Sequence, residues 1–353
     1  MARVSAALLL SLFVLELFFR LYFYLWNTNQ SVPFLLFERP FPRSEQFRSF
    51  IQKSGISGVL FELKPSISAT FLDKPFYTNS DGIIGRVDFT KQKPPGTYRI
   101  AGVGDSVMSS WGVSYEETFL ARLGEKLQTN MPESRVEIIN FAVPGYNAAI
   151  EAQVIETKVL AYNPDLIIIH FVGNDLDLPN FIRKQVTAGS YLLYVVKKLF
   201  FREPSTTSDA LGDQDYLGTE MEVAPLAWAG RFVFTKEQTP PQYQYMVGSN
   251  NYLKIMTELA KVTVQKGIPV IIFFTSEIIK TETLSASELL IPLKQMGYWV
   301  LDGDSALNNY LMREDLMLSQ IQLDLDDHLN LQGHQIFANI LEDYLSENKG
   351  VLQ

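Results

Sequence analysis

The chain contains no cysteine, which removes thiol nucleophiles, disulfides and cysteine-ligated metals from its chemistry. Histidine is scarce: with only His170, His328 and His334 present, a mechanism needing an imidazole base has few places to look. Basic charge is also in short supply. Against 39 Asp and Glu stand 30 Lys and Arg, a formal charge of -9 with no basic run, which argues against nucleic acid as a partner. There is no internal repeat. What the chain does have is 47% hydrophobic content over 353 residues, enough to bury one large core, although the length alone would accommodate two domains.

One long hydrophobic run opens the chain. From Val4 to Trp26, VSAALLLSLFVLELFFRLYFYLW has the length of a helix that crosses a hydrocarbon layer, interrupted only by Glu16 and Arg20. These stand four apart, so a helix brings them to one face where they can pair. Tyr22, Tyr24 and Trp26 suit an interfacial end. A cleavable signal peptide fits less well, because the apolar stretch exceeds the usual length and NTNQSVP, which follows, offers no A-x-A-like site. We expect an uncleaved anchor over 1–26; a buried or interfacial helix is the alternative that the charged pair keeps open. Orientation is weakly specified, with Arg3 on one side and Arg39, Arg43 and Arg48 on the other.

Residues 27–94 read as a connector with local structure, since Pro33, Pro40, Pro42, Pro65, Pro75 and Pro94 interrupt any long periodic element. Strand and helix then alternate across 95–350, the pattern of a parallel sheet in a three-layer α/β domain. Strands are expected at Tyr98–Val103, Val136–Phe141, Leu166–Phe171, Pro269–Phe274 and Trp299–Leu301. Amphipathic helices are expected at Glu116–Leu127, Ala148–Leu160, Asn251–Gln265 and Ser285–Met296, with a last helix from about Gly333. The stretch 176–248 has no place in this alternation and reads as a cap-like insertion. Within it YLLYVVKKLFF, from Tyr191 to Phe201, can pack on the domain, line a cleft or touch a membrane; packing on the domain is the default expectation.

In a doubly wound sheet ligands bind at the carboxyl ends of the strands. The first strand runs into Gly104-Asp105-Ser106, the second into Ala142-Val143-Pro144-Gly145, the third into Val172-Gly173-Asn174-Asp175. A hydroxyl, a glycine whose N–H can approach an oxyanion, and a side-chain amide thus follow three successive strands. Near the C-terminus, Asp324-Leu325-Asp326-Asp327-His328 places an imidazole beside carboxylates, which is what a serine needs for activation. Taken singly, each motif also reads as a helix cap, a turn glycine, an Asx turn or a solvated acidic loop.

In this order the four blocks resemble the SGNH/GDSL hydrolase superfamily, and the resemblance extends over about residues 76–346. TNSDGIIG at 78–85, YRIAGVGDSVMSSWGV at 98–113, NFAVPGYN at 140–147, NPDLIIIHFVGNDL at 163–176 and DDHLNLQGH at 326–334 carry it. It is similar to the bacterial branch with an N-terminal membrane helix. The resemblance implies a flavodoxin-like α/β/α fold with about five parallel strands, Ser106 as nucleophile and His328 as base. It also implies an oxyanion hole of the Ser106 and Gly145 N–H groups and the Asn174 side chain. Two positions depart from the common pattern: Val107 follows the serine, and Leu325 stands where many relatives carry the acid three residues before His. Asp326, in an Asp-x-His spacing, is the expected orienting acid, with Asp324 and Asp327 open. His334 is expected to be structural and His170 a core or cleft-wall residue.

No metal or organic cofactor is implied, and Val107 breaks the glycine pattern of a dinucleotide site. The expected function is a membrane-tethered serine ester hydrolase with its catalytic domain outside the cytoplasm. An acylated envelope polysaccharide or a lipid ester is the expected substrate. An O-acyltransferase would use the same site, and a binding or assembly protein that lost activity is the rival from another class. Sequence leaves the oligomeric state open.

Overall fold

The strands of the central sheet are apolar on both faces, as they must be when helices cover both sides. The computed structural model describes residues 2–28, 47, 49–179, 188–200, 239, 241–276, 278, 286–323 and 326–352. Its sheet comprises β5 (Thr97–Val103), β6 (Arg135–Asn140), β7 (Leu166–Phe171), β8 (Val270–Phe274) and β9 (Trp299–Asp302), all parallel. Its spatial order is β6-β5-β7-β8-β9. Along β5, Ala101 and Val103 enter one hydrophobic cluster while Ile100 enters the other, so each strand side feeds a separate layer of core.

The crossovers are α2 (Phe119–Asn130), α3 (Ala148–Thr157), α5 (Ser249–Gln265) and α6 (Ala286–Gln295); α7 (Gly303–Arg313) follows the last strand of the sheet, and α8 (Leu331–Glu347) closes one face. Their starts are set by side chains. Thr118 accepts from the Ala121 N–H at 3.3 Å, Asn147 from Ile150 at 3.2 Å, and Asn330 from Gly333 at 3.0 Å, each satisfying an amide the helix cannot. The expected three-layer α/β/α architecture and its five parallel strands are present, with strand ends within one residue of expectation. Helix starts moved more: α2 begins at Phe119 rather than Glu116, because residues 115–117 form a tighter 3₁₀ turn first. Helix α7 was not expected; its Asp302 cap closes directly on β9 with no turn signal between them.

Two hairpins precede the sheet: β1 (Ile51–Lys53) with β2 (Phe61–Leu63), and β3 (Ser68–Phe71) with β4 (Lys74–Tyr77). Phe47, Phe50, Phe71 and Phe76 are buried in the same cluster as Trp111, Ile139 and Tyr146 of the α/β layers. At the N-terminus, α1 (Ala2–Thr28) includes Ser5–Leu25, a stretch of 21 residues long and apolar enough to cross a membrane. Helix α4 (Tyr191–Phe200) packs on α1 through Phe19, Phe23 and Val195. The default expectation placed that segment against the α/β domain; its partner is the N-terminal helix instead, because Glu16 and the aromatic face of α1 complement its first turn. Much of the remaining insertion, 180–187 and 201–238, lies outside the described residues, as do 29–46.

A buried ion pair ties β5 to β6. Arg99, fully buried, donates through Nε and Nη2 to Glu137 Oε2 at 2.9 and 2.6 Å, and through Nη1 to the Tyr162 carbonyl. Removing one partner of such a pair strands the other charge in a low dielectric. Glu137→Ala should therefore lower stability by about 3–5 kcal/mol, measured by denaturant unfolding of the full-length protein in detergent. A change within experimental error would show that the guanidinium finds solvent.

Candidate active site

Strand order reverses beside β5: the chain passes from β5 to β6 on one side and returns to β7 on the other. The turns after these three strands therefore open onto one crevice. Ser106 follows β5, Gly145 follows β6 and Asn174 follows β7, so the three blocks that sequence set far apart converge here. Hydrogen bonds lock the turns together. The Val143 N–H donates to the Gly104 carbonyl at 3.1 Å, and buried Asn140 donates through Nδ2 to the Met108 carbonyl at 3.0 Å. Gly145 has φ 83°, a left-handed conformation that glycine adopts without steric cost. Gly104 leaves little room: a Cβ there would lie 3.1 Å from Met108 Cβ and 3.3 Å from His170 Cβ.

The fourth block arrives from the far end of the chain. Strands β10 (Gln322–Leu323) and β11 (Asp326–Leu329) form a short antiparallel hairpin, and His328 sits on β11 rather than in the open loop the sequence suggested. His328 Nε2 lies 2.6 Å from Ser106 Oγ, and both residues are buried. With Nε2 as acceptor, the Ser106 hydroxyl donates to the imidazole, a contact through which its proton can be taken. The Trp111 ring stacks on the imidazole at 4.9 Å and is itself packed edge-on by Phe71 of β3. The side chain of Asp326, together with residues Asp324 and Leu325, lies outside the described residues, so the carboxylate expected to orient His328 has no described position.

The other two histidines serve packing. His334 Nδ1 accepts from the Phe119 N–H at 3.1 Å at the start of α2, and His170 Nε2 lies 2.8 Å from Thr275 Oγ1. Burial pushes both down to about 3, so each imidazole is neutral at physiological pH.

Among the described residues, no protein acceptor takes the N–H of Ser106 or of Gly145. Asn174 Nδ2 donates to Asp105 Oδ2 at 3.0 Å, and Asp105 Oδ1 accepts from the Val107 N–H at 2.9 Å. Asp105 was read as no more than a possible cap; in the fold it holds the amide of Asn174 beside the serine. Its place in the GDS block was the available signal. Trp111 was missed altogether, because nothing local to a tryptophan in a turn announces a histidine more than 200 residues away.

Behind Asn174 lies a group of buried acids. Glu151 of α3 and Asp175 are both buried, and burial holds both carboxyls well above the usual range, with the charge of Asp175 raising Glu151 further while the contact with Glu151 lowers Asp175. Asp105 raises both further by repulsion and is itself raised by burial. Asp175 Oδ2 accepts from the Val172 N–H at 2.8 Å, whereas neither Glu151 oxygen meets a donor. Glu151 is therefore the member that keeps its proton.

The linkage has a definite sign. Below the ordinary carboxyl pKa, Glu151 is protonated in folded and unfolded chains alike and costs nothing. As pH rises above 4.5 the unfolded chain ionises first, and stability falls by up to about 1.4 kcal/mol per pH unit until the folded group titrates. Glu151→Gln removes this term. Its melting temperature relative to the natural protein should rise between pH 5 and pH 8; an equal difference at both would mean that Glu151 is ionised in the fold.

Residues 103–271 match the sequence profile of the GDSL-like Lipase/Acylhydrolase family. Comparison with curated protein sequences returned no match. Among solved structures, an α/β hydrolase from the metagenome of Lake Arreo, Spain, is 17% identical, with 72% of this chain and 96% of that chain covered and a TM-score of 0.42. A catalytic variant of an acetylxylan esterase from Geobacillus stearothermophilus is 15% identical, covering 71% and 95%, with a TM-score of 0.43. A two-domain esterase active on acetylated mannans is 12% identical, covering 71% of this chain and 49% of that one, with a TM-score of 0.41. The family profile spans the Ser, Gly and Asn blocks together with β6 and β7, and residues 103–271 form a GDSL-like lipase/acylhydrolase domain of the SGNH/GDSL esterase class.

Proposed function

We propose that this protein is a membrane-tethered serine esterase that works through a covalent acyl-enzyme, with Ser106 as nucleophile and His328 as general base. The 2.6 Å contact between Ser106 Oγ and His328 Nε2 carries the proposal. In the first half-reaction Oγ attacks the ester carbonyl as His328 takes its proton. His328 then protonates the departing alkoxide, leaving the acyl group on Ser106. Water, deprotonated by the same imidazole, releases the acid in the second half. The N–H groups of Ser106 and Gly145 and the Asn174 amide are the proposed donors to the tetrahedral oxyanion; each such donor is worth roughly 10²–10³ in turnover. Asp326 is the proposed partner of the other imidazole nitrogen.

The tether places the substrate. We propose that Ser5–Leu25 crosses the membrane once and that the catalytic domain lies outside the cytoplasm. The substrate class that matches this position is an acyl ester at the membrane surface, on an envelope polysaccharide or a lipid. The apolar length of α1, together with its exposed Leu8, Leu9, Leu10, Phe13 and Leu17, supports the crossing.

Ser106→Ala and His328→Ala should each cut hydrolysis of p-nitrophenyl acetate by about 10⁴-fold or more, while His334→Ala at equal folded fraction retains most of its turnover. Unchanged activity in Ser106→Ala would end the acyl-enzyme reading, and a larger catalytic loss from His334→Ala would assign the base to the wrong ring. Full-length protein should remain with membranes through a carbonate wash; release into the supernatant would remove the tether.

A further inference from the structure

A charged pair inside an otherwise apolar crossing helix needs an explanation, and here the pair has a partner besides itself. Glu16 Oε1 lies 2.8 Å from Arg20 Nε, and the same carboxylate caps α4. It accepts the Tyr191 N–H at 3.3 Å, the Leu192 N–H at 2.8 Å and the Ser190 hydroxyl at 2.8 Å. Arg20 donates to the Gly189 carbonyl at 2.7 Å and lies over the Tyr191 ring. Phe23, fully buried, stacks on Tyr191 at 5.0 Å and meets Tyr194 edge-on at 5.4 Å.

The first four N–H groups of any helix lack intrahelical partners, and at a solvated terminus water takes them. In α4 the protein accounts for three of them: Tyr191 and Leu192 donate to Glu16 and Leu193 to Ser190 Oγ at 3.2 Å, and the helix's own ladder then begins with Tyr194 donating to the Ser190 carbonyl at 3.1 Å. Satisfaction by protein rather than water is what a hydrocarbon environment demands of a helix end.

Length points the same way. Ser5–Leu15 is about 16 Å of helix, about half of a ~30 Å hydrocarbon layer, so a crossing must continue to about Leu25. That carries Glu16, Arg20 and whatever they hold into the layer, with Glu16 about 14 Å below Leu25. Helix α4, at ten residues and about 15 Å, matches the thickness of one leaflet. Exposed Leu193 faces away from α1, and exposed Lys197 toward the far end suits the headgroup region.

We propose that Glu16 and Arg20 form an intramembrane dock for α4, so that α4 is itself embedded in one leaflet of the bilayer beside the anchor. This rests on the reading of α1 as a membrane-crossing helix. The dock explains why two charges persist in the run: they are the polar half of a helix–helix contact whose apolar half is Phe19, Phe23 and Val195.

The absence of cysteine makes the test clean. Leu193→Cys in the full-length protein, labelled with an environment-sensitive fluorophore and reconstituted in vesicles, should emit as in hydrocarbon and be quenched several-fold by lipids spin-labelled in the acyl chain. Adding Glu16→Leu with Arg20→Leu makes α1 a purely apolar anchor. The protein should then stay carbonate-resistant while quenching falls toward the level of a water-exposed probe. A water-exposed probe on the natural background overturns the dock, as does quenching unchanged by the double substitution, in either case with the tether intact. Release of the unsubstituted protein by carbonate overturns the tether, and the dock with it.

Discussion

The reversal of strand order at β5 is the constraint from which the site follows. With β6 on one side and β7 on the other, a parallel sheet must bring the turns after all three strands to the same edge, at the one place where neighbouring crossovers diverge. A hydroxyl, a left-handed glycine and an amide need no further device to meet. The imidazole does need one, because α8 packs against α2 and would by itself leave His328 in a loop. The β10–β11 hairpin supplies it, and Asn330 fastens the hairpin to α8 by donating to the Gln320 and Gln322 carbonyls while capping the helix. Trp111 then closes over the ring, backed by an aromatic group from the hairpins that precede the sheet.

Burial gives this site its electrostatics. The same low dielectric that keeps His170 and His334 neutral, and raises the carboxyls of Glu151, Asp175 and Asp105, strengthens every donor aimed at a developing oxyanion. Asp105 connects the two effects. By accepting from Asn174 and from Val107 it offsets part of its own desolvation, and in doing so fixes the amide that the oxyanion would use.

Period and composition carried the sheet. Runs such as LIIIHF are apolar at every position but His170, which only a strand covered on both faces tolerates, so Leu166–Phe171 could be placed to the residue. The block residues were legible for a related reason: they directly follow such strands, and strand ends at a switch point are where chemistry collects. What was not legible depends on contacts distant in sequence. The hairpin bearing His328 has two-residue and four-residue strands, too short for alternation to register. The roles of Trp111 and Asp105 exist only once β11 and β7 stand beside β5. The partner of Tyr191–Phe200 could not be read, because Glu16 and Ser190 are 174 residues apart and neither is unusual in its own neighbourhood.

The base of the insertion is fixed beside the strand ends. The Gly248 N–H donates to the Leu176 carbonyl at 2.7 Å, so the segment that leaves the Asn174 turn returns to the residue from which it departed. Asn147, two residues after Gly145, caps α3 with its oxygen and spends its nitrogen on the Asp177 carbonyl at 2.7 Å. The insertion is thus pinned at one end to the turns that carry Gly145 and Asn174. At α4 it is pinned again, to Glu16 and Arg20 of α1. The described parts of the insertion thus have two separate attachments, one at the strand ends and one on the apolar helix, and each is made by polar groups that would otherwise be left without partners: the Asn147 amide and the Gly248 N–H at the first, the opening N–H groups of α4 at the second.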